Sequence, residues 1–131
     1  MKKHYLVCAA IVMEGNKILC LQRNKSKYDY ISFKYEFPGG KVEQKVTPDI
    51  ALVREIQEEL SLNITKLTPF LVVNHEYEDF GLTMHSFLCE VSDTNLVLHE
   101  HVDFKWLTKE SLMTLDWAAA DIPIVNKLMV E

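Results

Sequence analysis

Three glutamates on one predicted helix are the residues of this chain best suited to chemistry. Residues 48–60 carry Glu55, Glu58 and Glu59 at the spacing i, i+3 and i+4, which places three carboxylates on one helix face within a single turn. Like charges so close together repel, whereas a hard divalent cation such as Mg²⁺ favours carboxylate oxygens and keeps water or phosphate in its other positions. The spacing therefore indicates a metal site, and the alternative is an ordinary solvated charged face.

The ends and the apolar positions of residues 48–60 are typical of a helix that packs on a core. Thr47 is a suitable N-cap, Pro48 suits the first helical position, and Asp49 favours the positive end of the helix dipole. The apolar stripe of this helix consists of Ile50, Ala51, Leu52, Val53, Ile56 and Leu60.

A glycine pair, Gly39 and Gly40, precedes the helix and predicts a loop whose backbone comes close to another group. From Gly40 to Leu62 the chain resembles the signature of the Nudix hydrolases. That signature reads G, five residues, E, seven residues and R-E-U-x-E-E-x-G-U, where U is a bulky aliphatic residue. The matching positions are Gly40, Arg54, Glu55, Ile56, Glu58, Glu59 and Leu62.

Two positions depart from the signature. Val46 stands where the family has its first Glu, so one carboxylate is absent. Ser61 stands where the family has its second Gly, at the end of the helix, and a left-handed backbone there costs a serine about 1 kcal/mol. The first departure bears on chemistry and the second on stability.

The resemblance implies both a fold and a metal shell. The fold is an α/β (α+β) Nudix sandwich, α/β/α, in which helices flank a mixed β-sheet. The metal, Mg²⁺ with Mn²⁺ also possible, would be held by the three helix glutamates, the carbonyl of Gly39 and Glu100 from a distant loop. The general base would be either Glu55 or Glu100. His99 and His101 flank Glu100, but zinc needs three or four convergent ligands, which the sequence does not supply.

The resemblance also implies contacts with a substrate. Arg23 ends the second predicted strand and would bind phosphate through its planar fork of donors. From the residues themselves, Lys41, which follows the glycine pair, is expected to contact phosphate as a point charge, and Phe37, together with Tyr5, to offer a stacking surface for the base. Arg54 and Gly40 are assigned a supporting role, because Arg54 is expected to join the loop and the helix by ion pairs.

Residues 115–125 look like the C-terminal segment of MutT-type and CTP-pyrophosphohydrolase-type Nudix enzymes. In that segment a residue at the start of the last helix meets the base, and here the residue is Asp121. An ionised Asp121 would accept from the exocyclic amine of cytosine, and a protonated one could serve an oxidised purine. The oxidised-guanine-specific bacterial enzymes have Asn at this place. The alternative is that Asp121 only caps the helix.

Length, charge and cysteine content limit the remaining possibilities. The chain has 131 residues, of which 48% are hydrophobic and 25% charged, with a net charge of −5. These values predict one globular domain, residues 1–131, with no surface for nucleic acid polymers. No apolar run approaches 18 residues, so no membrane span is expected. An odd number of cysteines without a C-x-x-C pair favours a reducing cytoplasm, and both a monomer and a homodimer are compatible with the sequence.

Most of the chain outside residues 48–60 is predicted to be extended. Residues 24–32 are expected to form a mobile loop over the site. A short helix capped by Thr108 runs through residue 115, and a final helix covers residues 121–130. The predicted strands are residues 4–13, 17–23, 64–77, 82–91, 95–99 and 103–107.

Three functions follow from this pattern. The first is a Mg²⁺-dependent pyrophosphohydrolase that converts a nucleoside triphosphate to the monophosphate and pyrophosphate, with CTP, dCTP or modified pyrimidine nucleotides as substrates. An 8-oxo-dGTP diphosphatase is the alternative within the same chemistry. The second is hydrolysis of a dinucleotide or a nucleotide sugar, against which the compact domain speaks. The third is a nucleotide sensor without turnover, for which Val46 is the one supporting residue.

Overall fold

The computed structural model describes residues 2–131, which form seven strands and two α-helices. Two further 3₁₀ segments, Lys109–Thr114 and Ala119–Asp121, lie between the last strand and the last helix. The elements are β1 (Lys3–Glu14), β2 (Lys17–Gln22), β3 (Tyr35–Glu36), β4 (Gly39–Lys41), α1 (Pro48–Leu60), β5 (Ile64–Glu76), β6 (Phe80–Val91), β7 (Asp103–Thr108) and α2 (Ile122–Val130).

Strand β1 shows why the chain forms three layers. Its residues 8–12 are all buried, and alternate residues of a strand point to opposite faces of a sheet. Ala9 and Ile11 belong to a core with residues of α2. The alternate residues Cys8, Ala10 and Val12 belong to a second core with residues of α1. Each helix therefore covers its own face of the sheet, and the predicted α/β/α sandwich is confirmed.

The sheet is mixed, as the sequence predicted. Its strand order is β3-β2-β1-β6-β5, with β4 beside β1 and β7 beside β2. The β1–β6 pair is parallel and runs from Lys3 opposite Phe80 to Val12 opposite Cys89. The other pairings are antiparallel. As a consequence, β4 places the glycine pair against the middle of β1.

The predicted helix at residues 48–60 is confirmed at both ends, but several local expectations are wrong. Thr47 and Thr108 stand at the predicted N-cap positions, but neither side chain makes a capping hydrogen bond. Residues 95–99 form no strand, because the N–H of Val97 donates to the Leu60 carbonyl at the end of α1 and not to a neighbouring strand. The final helix begins one residue later than predicted, at Ile122, and a 3₁₀ turn precedes it.

Neither α1 nor α2 is long and apolar enough to cross a lipid bilayer, and the same holds for the shorter helical segments within residues 2–131.

Ser61 carries the strain that the sequence predicted. Its backbone has φ 57° and ψ 33°, a left-handed conformation that ends α1, and glycine adopts it without the steric penalty of a Cβ. We expect Ser61→Gly to raise the free energy of unfolding by about 0.5–1 kcal/mol. Thermal unfolding would show this as a higher Tm with unchanged activity, and a lower Tm would mean that the Ser61–His99 contact of 3.3 Å outweighs the strain.

Candidate active site

One large pocket, of about 520 Å³, opens beside β1, β4 and β6. Its lining includes residues 23–28 together with Glu100 and His101. It also includes Ala118, Ala120 and Asp121, just before the last helix. The pocket thus collects residues from both ends of the chain, and its volume lies in the range that is common for small-molecule sites.

The glycine pair is required by close approach, as the sequence predicted. A Cβ on Gly39 would lie 1.9 Å from the carbonyl oxygen of Cys8, because β4 pairs directly with β1. A Cβ on Gly40 would lie 2.7 Å from the carboxyl group of Glu55. Because glycine lacks these Cβ atoms, the loop backbone can approach both the central strand and α1 where it borders the pocket.

Two carboxylates of α1 near the glycine pair, those of Glu55 and Glu59, are destabilised in their charged form. Burial, followed by the negative charges of Glu55 and Glu100, raises the pKa of Glu59 to about 8. Burial and the charge of Glu58 also raise the pKa of Glu55. The pKa shifts record a cluster of like charges in a partly desolvated place, and such a cluster is stabilised when a cation enters.

The third helix glutamate lies differently. The side chain of Glu58 is 62% exposed and meets Arg54 at 3.7 Å. Arg54 also contacts Glu43, in the loop before α1, at 3.3 Å, and Glu55 at 3.6 Å. The guanidinium therefore connects that loop to the glutamate face of the helix.

One unpaired carboxylate oxygen in the acidic cluster fits the binding of a divalent metal ion. Glu59 Oε2 is buried and has no hydrogen-bond partner, although a buried polar atom is normally paired. Within residues 2–131, no three His, Cys, Asp or Glu side chains are gathered as a finished metal site. Mutual repulsion keeps carboxylates apart until a cation neutralises them, so the unpaired oxygen and the raised pKa values are what such a site shows.

A cation that lines the same pocket acts on this cluster, since the charge of Arg23 partly offsets the rise in the pKa of Glu59. Arg23 Nη1 contacts Glu36 Oε1 at 3.0 Å, and the second oxygen of Glu36 contacts His101 Nε2 at 2.9 Å. Arg23 Nε is buried without a partner and the residue lines the pocket. Sequence reasoning missed Glu36, which contacts His101 across 65 positions of the chain. It considered His101 only as a zinc ligand, and His101 instead bonds Glu36.

Asp121 lines the pocket and is 6% exposed. Its Oδ2 accepts a hydrogen bond of 2.9 Å from the backbone N–H of Phe37. Although Asp121 stands at the N-cap position of α2, it makes no capping side-chain bond, so its side chain is not the simple cap of the alternative interpretation. Burial, with Glu36 as second cause, raises its pKa well above the usual value for Asp.

Aromatic side chains form much of the remaining wall. The ring of Phe37 lies 4.7 Å from that of Trp117 and is buried, although it still lines the pocket. Lys41 Nζ stands 4.2 Å from the ring centroid of Tyr5. The sequence-based assignment did not include three further rings of the wall, which are Tyr28, Tyr77 and Phe80.

Val46, which stands where the family signature has a glutamate, does not face the pocket. It is partly buried and packs on the core that α1 shares with the sheet. It is absent from the lining of the pocket within residues 2–131. The substitution therefore takes no carboxylate from the pocket as it stands.

The comparisons with known proteins agree with this geometry. The model of the NUDIX domain matches residues 2–128, and together the sandwich fold and the glutamate helix define a metal-dependent hydrolase of phosphoanhydrides. The chain belongs to the Nudix hydrolase family, so the resemblance carried by the segment from Gly40 to Leu62 is confirmed.

Three relatives show where the chain stands in this family. It is 36% identical to the CTP pyrophosphohydrolase of Escherichia coli (strain K12), over 94% of this chain and 90% of the relative. It is 30% identical to the 8-oxo-dGTP diphosphatase of the same strain, over 98% of each chain. A solved structure titled DNA mismatch repair protein MutT, from methicillin-resistant Staphylococcus aureus 252, is 39% identical with a TM-score of 0.73, over 99% of this chain and 98% of that chain.

Proposed function

We propose that this Nudix hydrolase is a Mg²⁺-dependent nucleoside triphosphate pyrophosphohydrolase that acts on CTP, dCTP or modified pyrimidine nucleotides. It would cleave the triphosphate to the nucleoside monophosphate and pyrophosphate. Mn²⁺ is the alternative metal, since Nudix hydrolases generally use a divalent ion. The cytoplasm is the proposed location, because Cys8, Cys20 and Cys89 are free and buried in the described structure.

One observation carries the proposal. Within residues 2–131, the buried side-chain nitrogen and oxygen atoms without a hydrogen-bond partner are Arg23 Nε and Glu59 Oε2. They have opposite charge, and both residues line the same pocket. A metal-bound polyphosphate offers a cation to the glutamate and phosphate oxygens to the arginine, so a single ligand would satisfy both atoms.

The residues divide the work in the following way. Glu55, Glu58, Glu59 and Glu100, with the Gly39 carbonyl, would hold the metal, which when bound neutralises phosphate charge and acidifies water. Arg23 and Lys41 would orient the phosphates. Either Glu55 or Glu100 would take the proton of the attacking water, because a general base must be a carboxylate that is not fully committed to metal.

The nucleobase of the substrate is assigned to Asp121 and the aromatic rings near it. Oδ2 of Asp121 is engaged by Phe37, and Oδ1 is left for the ligand, since no hydrogen bond within residues 2–131 uses it. An ionised Oδ1 accepts from the exocyclic amine of cytosine. The similarity to a CTP pyrophosphohydrolase over 94% of the chain supports this choice.

Hydrolysis of 8-oxo-dGTP is the second candidate. The raised pKa of Asp121 favours its protonated form, whose Oδ1–H would donate to a purine oxygen. The similarity to an 8-oxo-dGTP diphosphatase over 98% of the chain also supports it. The sensor interpretation is weaker, because it depended on Val46, which packs on the core.

The test is pyrophosphate release with Mg²⁺ from CTP, dCTP, 5-methyl-dCTP, 8-oxo-dGTP, dATP and a nucleotide sugar. We expect the cytidine compounds to have the highest kcat/KM. Preference for 8-oxo-dGTP would keep the chemistry and select the second candidate. No turnover of any triphosphate would contradict the proposed activity, and Val46→Glu would then be the first variant to test for its recovery.

A further inference from the structure

A stack of three tyrosines closes one side of the pocket. Residues 24–34, here called the strap, carry Tyr28 and Tyr30, whose rings are stacked with centroids 5.4 Å apart and planes 13° apart. Tyr30 is stacked in turn on Tyr77, with centroids 5.3 Å apart and planes 19° apart. Phe80 lies against both ends of the stack, 5.5 Å from Tyr28 and 5.0 Å from Tyr77.

The middle ring of the stack is fixed by polar contacts. The hydroxyl of Tyr30 donates to Asp79 Oδ2 at 2.8 Å and accepts from the Asp79 N–H at 3.4 Å. The C-terminal end of the strap is held separately, because Lys34 forms an ion pair with Asp116 at 2.8 Å. The aromatic residues of the strap therefore hold it to the β5–β6 turn, and Lys34 holds it to the C-terminal segment of the chain.

The stack also reaches the segment that carries Asp121. The hydroxyl of Tyr77 accepts a hydrogen bond of 2.9 Å from the backbone N–H of Ala120. Tyr28 and Tyr77 line the pocket, whereas Tyr30 does not. Tyr30 thus lies between Tyr28 and Tyr77 and sets the position of Tyr28, whose side chain borders the pocket.

The surroundings of Tyr28 fit a flat ligand. Its ring meets Tyr30, Phe80 and the flexible ammonium of Lys27, whose Nζ stands 5.1 Å from the ring centroid. A nucleobase stacks on such a ring whatever its polar edge, because every base has a π-face. The ammonium of Lys27 lies over this ring, and its flexible stem would let it turn to the phosphates when a base takes that face.

We propose that Tyr28 contacts the nucleobase of the substrate by stacking, and that Tyr30 is a positioning residue that holds Tyr28 through Tyr77 and Asp79. This inference rests on the proposed function, because it takes the ligand of the pocket to be a nucleotide. The strap then supplies affinity that does not depend on the base, and Asp121 supplies discrimination between bases.

The test compares ligands with and without a base. In the presence of Mg²⁺, calorimetry would give the Kd of CMP, GMP and inorganic triphosphate for the wild type and for Tyr28→Ala. We expect the Kd of both nucleotides to rise about tenfold, the effect of losing one stacked base, and the Kd of inorganic triphosphate to stay within twofold. Tyr28→Phe should restore nucleotide binding, because it keeps the ring.

Tyr30 and the control are tested by kinetics. Tyr30→Phe keeps the stack but removes the bonds to Asp79, so we expect KM to rise about threefold for CTP and for GTP, with kcat unchanged. Phe33→Ala is the matched control, since Phe33 is an aromatic residue of the same strap that is 50% exposed and outside the pocket lining. It should change neither constant.

Three results would overturn the inference. The first is an unchanged nucleotide Kd in Tyr28→Ala. The second is an equal loss for inorganic triphosphate, which would mean that the strap holds phosphate and not base. The third is a loss confined to one base. A wild type that binds nucleotides but hydrolyses no triphosphate would contradict the proposed activity alone, because the calorimetric comparison does not depend on turnover.

Discussion

Replacement of Glu59 by glutamine is expected to lower kcat about a thousand-fold, which corresponds to about 4 kcal/mol. Glu59 is the acidic residue of α1 that lines the pocket, and its Oε2 is buried without a partner. Glutamine has almost the same shape but offers a cation no charge, so the metal and the phosphates would lose their main anchor. Pyrophosphate release with saturating Mg²⁺ and CTP measures the loss.

The same variant is expected to be more stable than the wild type without metal. The pKa of Glu59 is raised from 4.5 to about 8, so the folded state binds a proton that the unfolded state releases. The stability from this proton is complete below about pH 4.5 and is lost as the pH rises through about 8. Glutamine does not ionise, so Glu59→Gln avoids this loss of stability. After discounting for solvent screening, we expect its Tm at pH 8 to be about 3–6 °C higher than that of the wild type.

Added Mg²⁺ should reverse the order of stability. A ligand that binds only the folded state raises its stability with concentration, so the Tm of the wild type should rise with Mg²⁺ and that of Glu59→Gln should not. Glu58→Gln is the matched control for stability. Its side chain is 62% exposed, so we expect its Tm without metal to equal that of the wild type, while its activity still falls by orders of magnitude. Equal Tm responses to Mg²⁺ in the wild type and Glu59→Gln would contradict the metal assignment.

The sequence predicted the parts of the site that are local in the chain. The helix at residues 48–60 follows from spacing that repeats within four residues, and the glycine pair lies only a short loop before it in the chain. Asp121, remote in sequence, was assigned through the resemblance of residues 115–125 to a segment of related enzymes, and it lines the same pocket as Glu59.

The parts that were missed depend on contacts between distant segments. Glu36 contacts His101 across 65 positions, and Tyr30 contacts Asp79 across 49. No spacing rule links such residues, because the pairing of the strands determines which segments meet. Strand β2 lies beside both β3 and β7, and β1 lies beside β6. The wrong strand at residues 95–99 has the same origin, since its alternating apolar residues pack beside the end of α1 and find no strand partner.

Asp121→Asn is expected to shift the ratio of kcat/KM for 8-oxo-dGTP over CTP about 30-fold in favour of 8-oxo-dGTP, or about 2 kcal/mol. The reason lies in the N–H of Phe37, which donates to one side-chain oxygen at position 121. An asparagine must turn its oxygen to this donor, so its NH₂ group faces the pocket. A donor there suits a purine oxygen and leaves the amine of cytosine without an acceptor.

The wild type should show the same switch as a function of pH. The pKa of Asp121 is raised by burial and by Glu36, so Oδ1 is a donor when protonated and becomes an acceptor as the pH rises. Preference for CTP over 8-oxo-dGTP should therefore increase with pH in the wild type and stay flat in Asp121→Asn. The ratio of the two kcat/KM values cancels ionisations that both substrates share, such as those of the metal-binding glutamates.

A control variant separates this effect from a change of charge near the pocket. Asp116→Asn removes a carboxylate that is 75% exposed in the same C-terminal segment, and we expect it to leave the ratio unchanged at every pH. If Asp121→Asn also leaves the ratio unchanged, Asp121 serves only to hold Phe37 in place. Selection between bases would then have to come from other polar groups of the pocket, because the aromatic rings bind all bases alike.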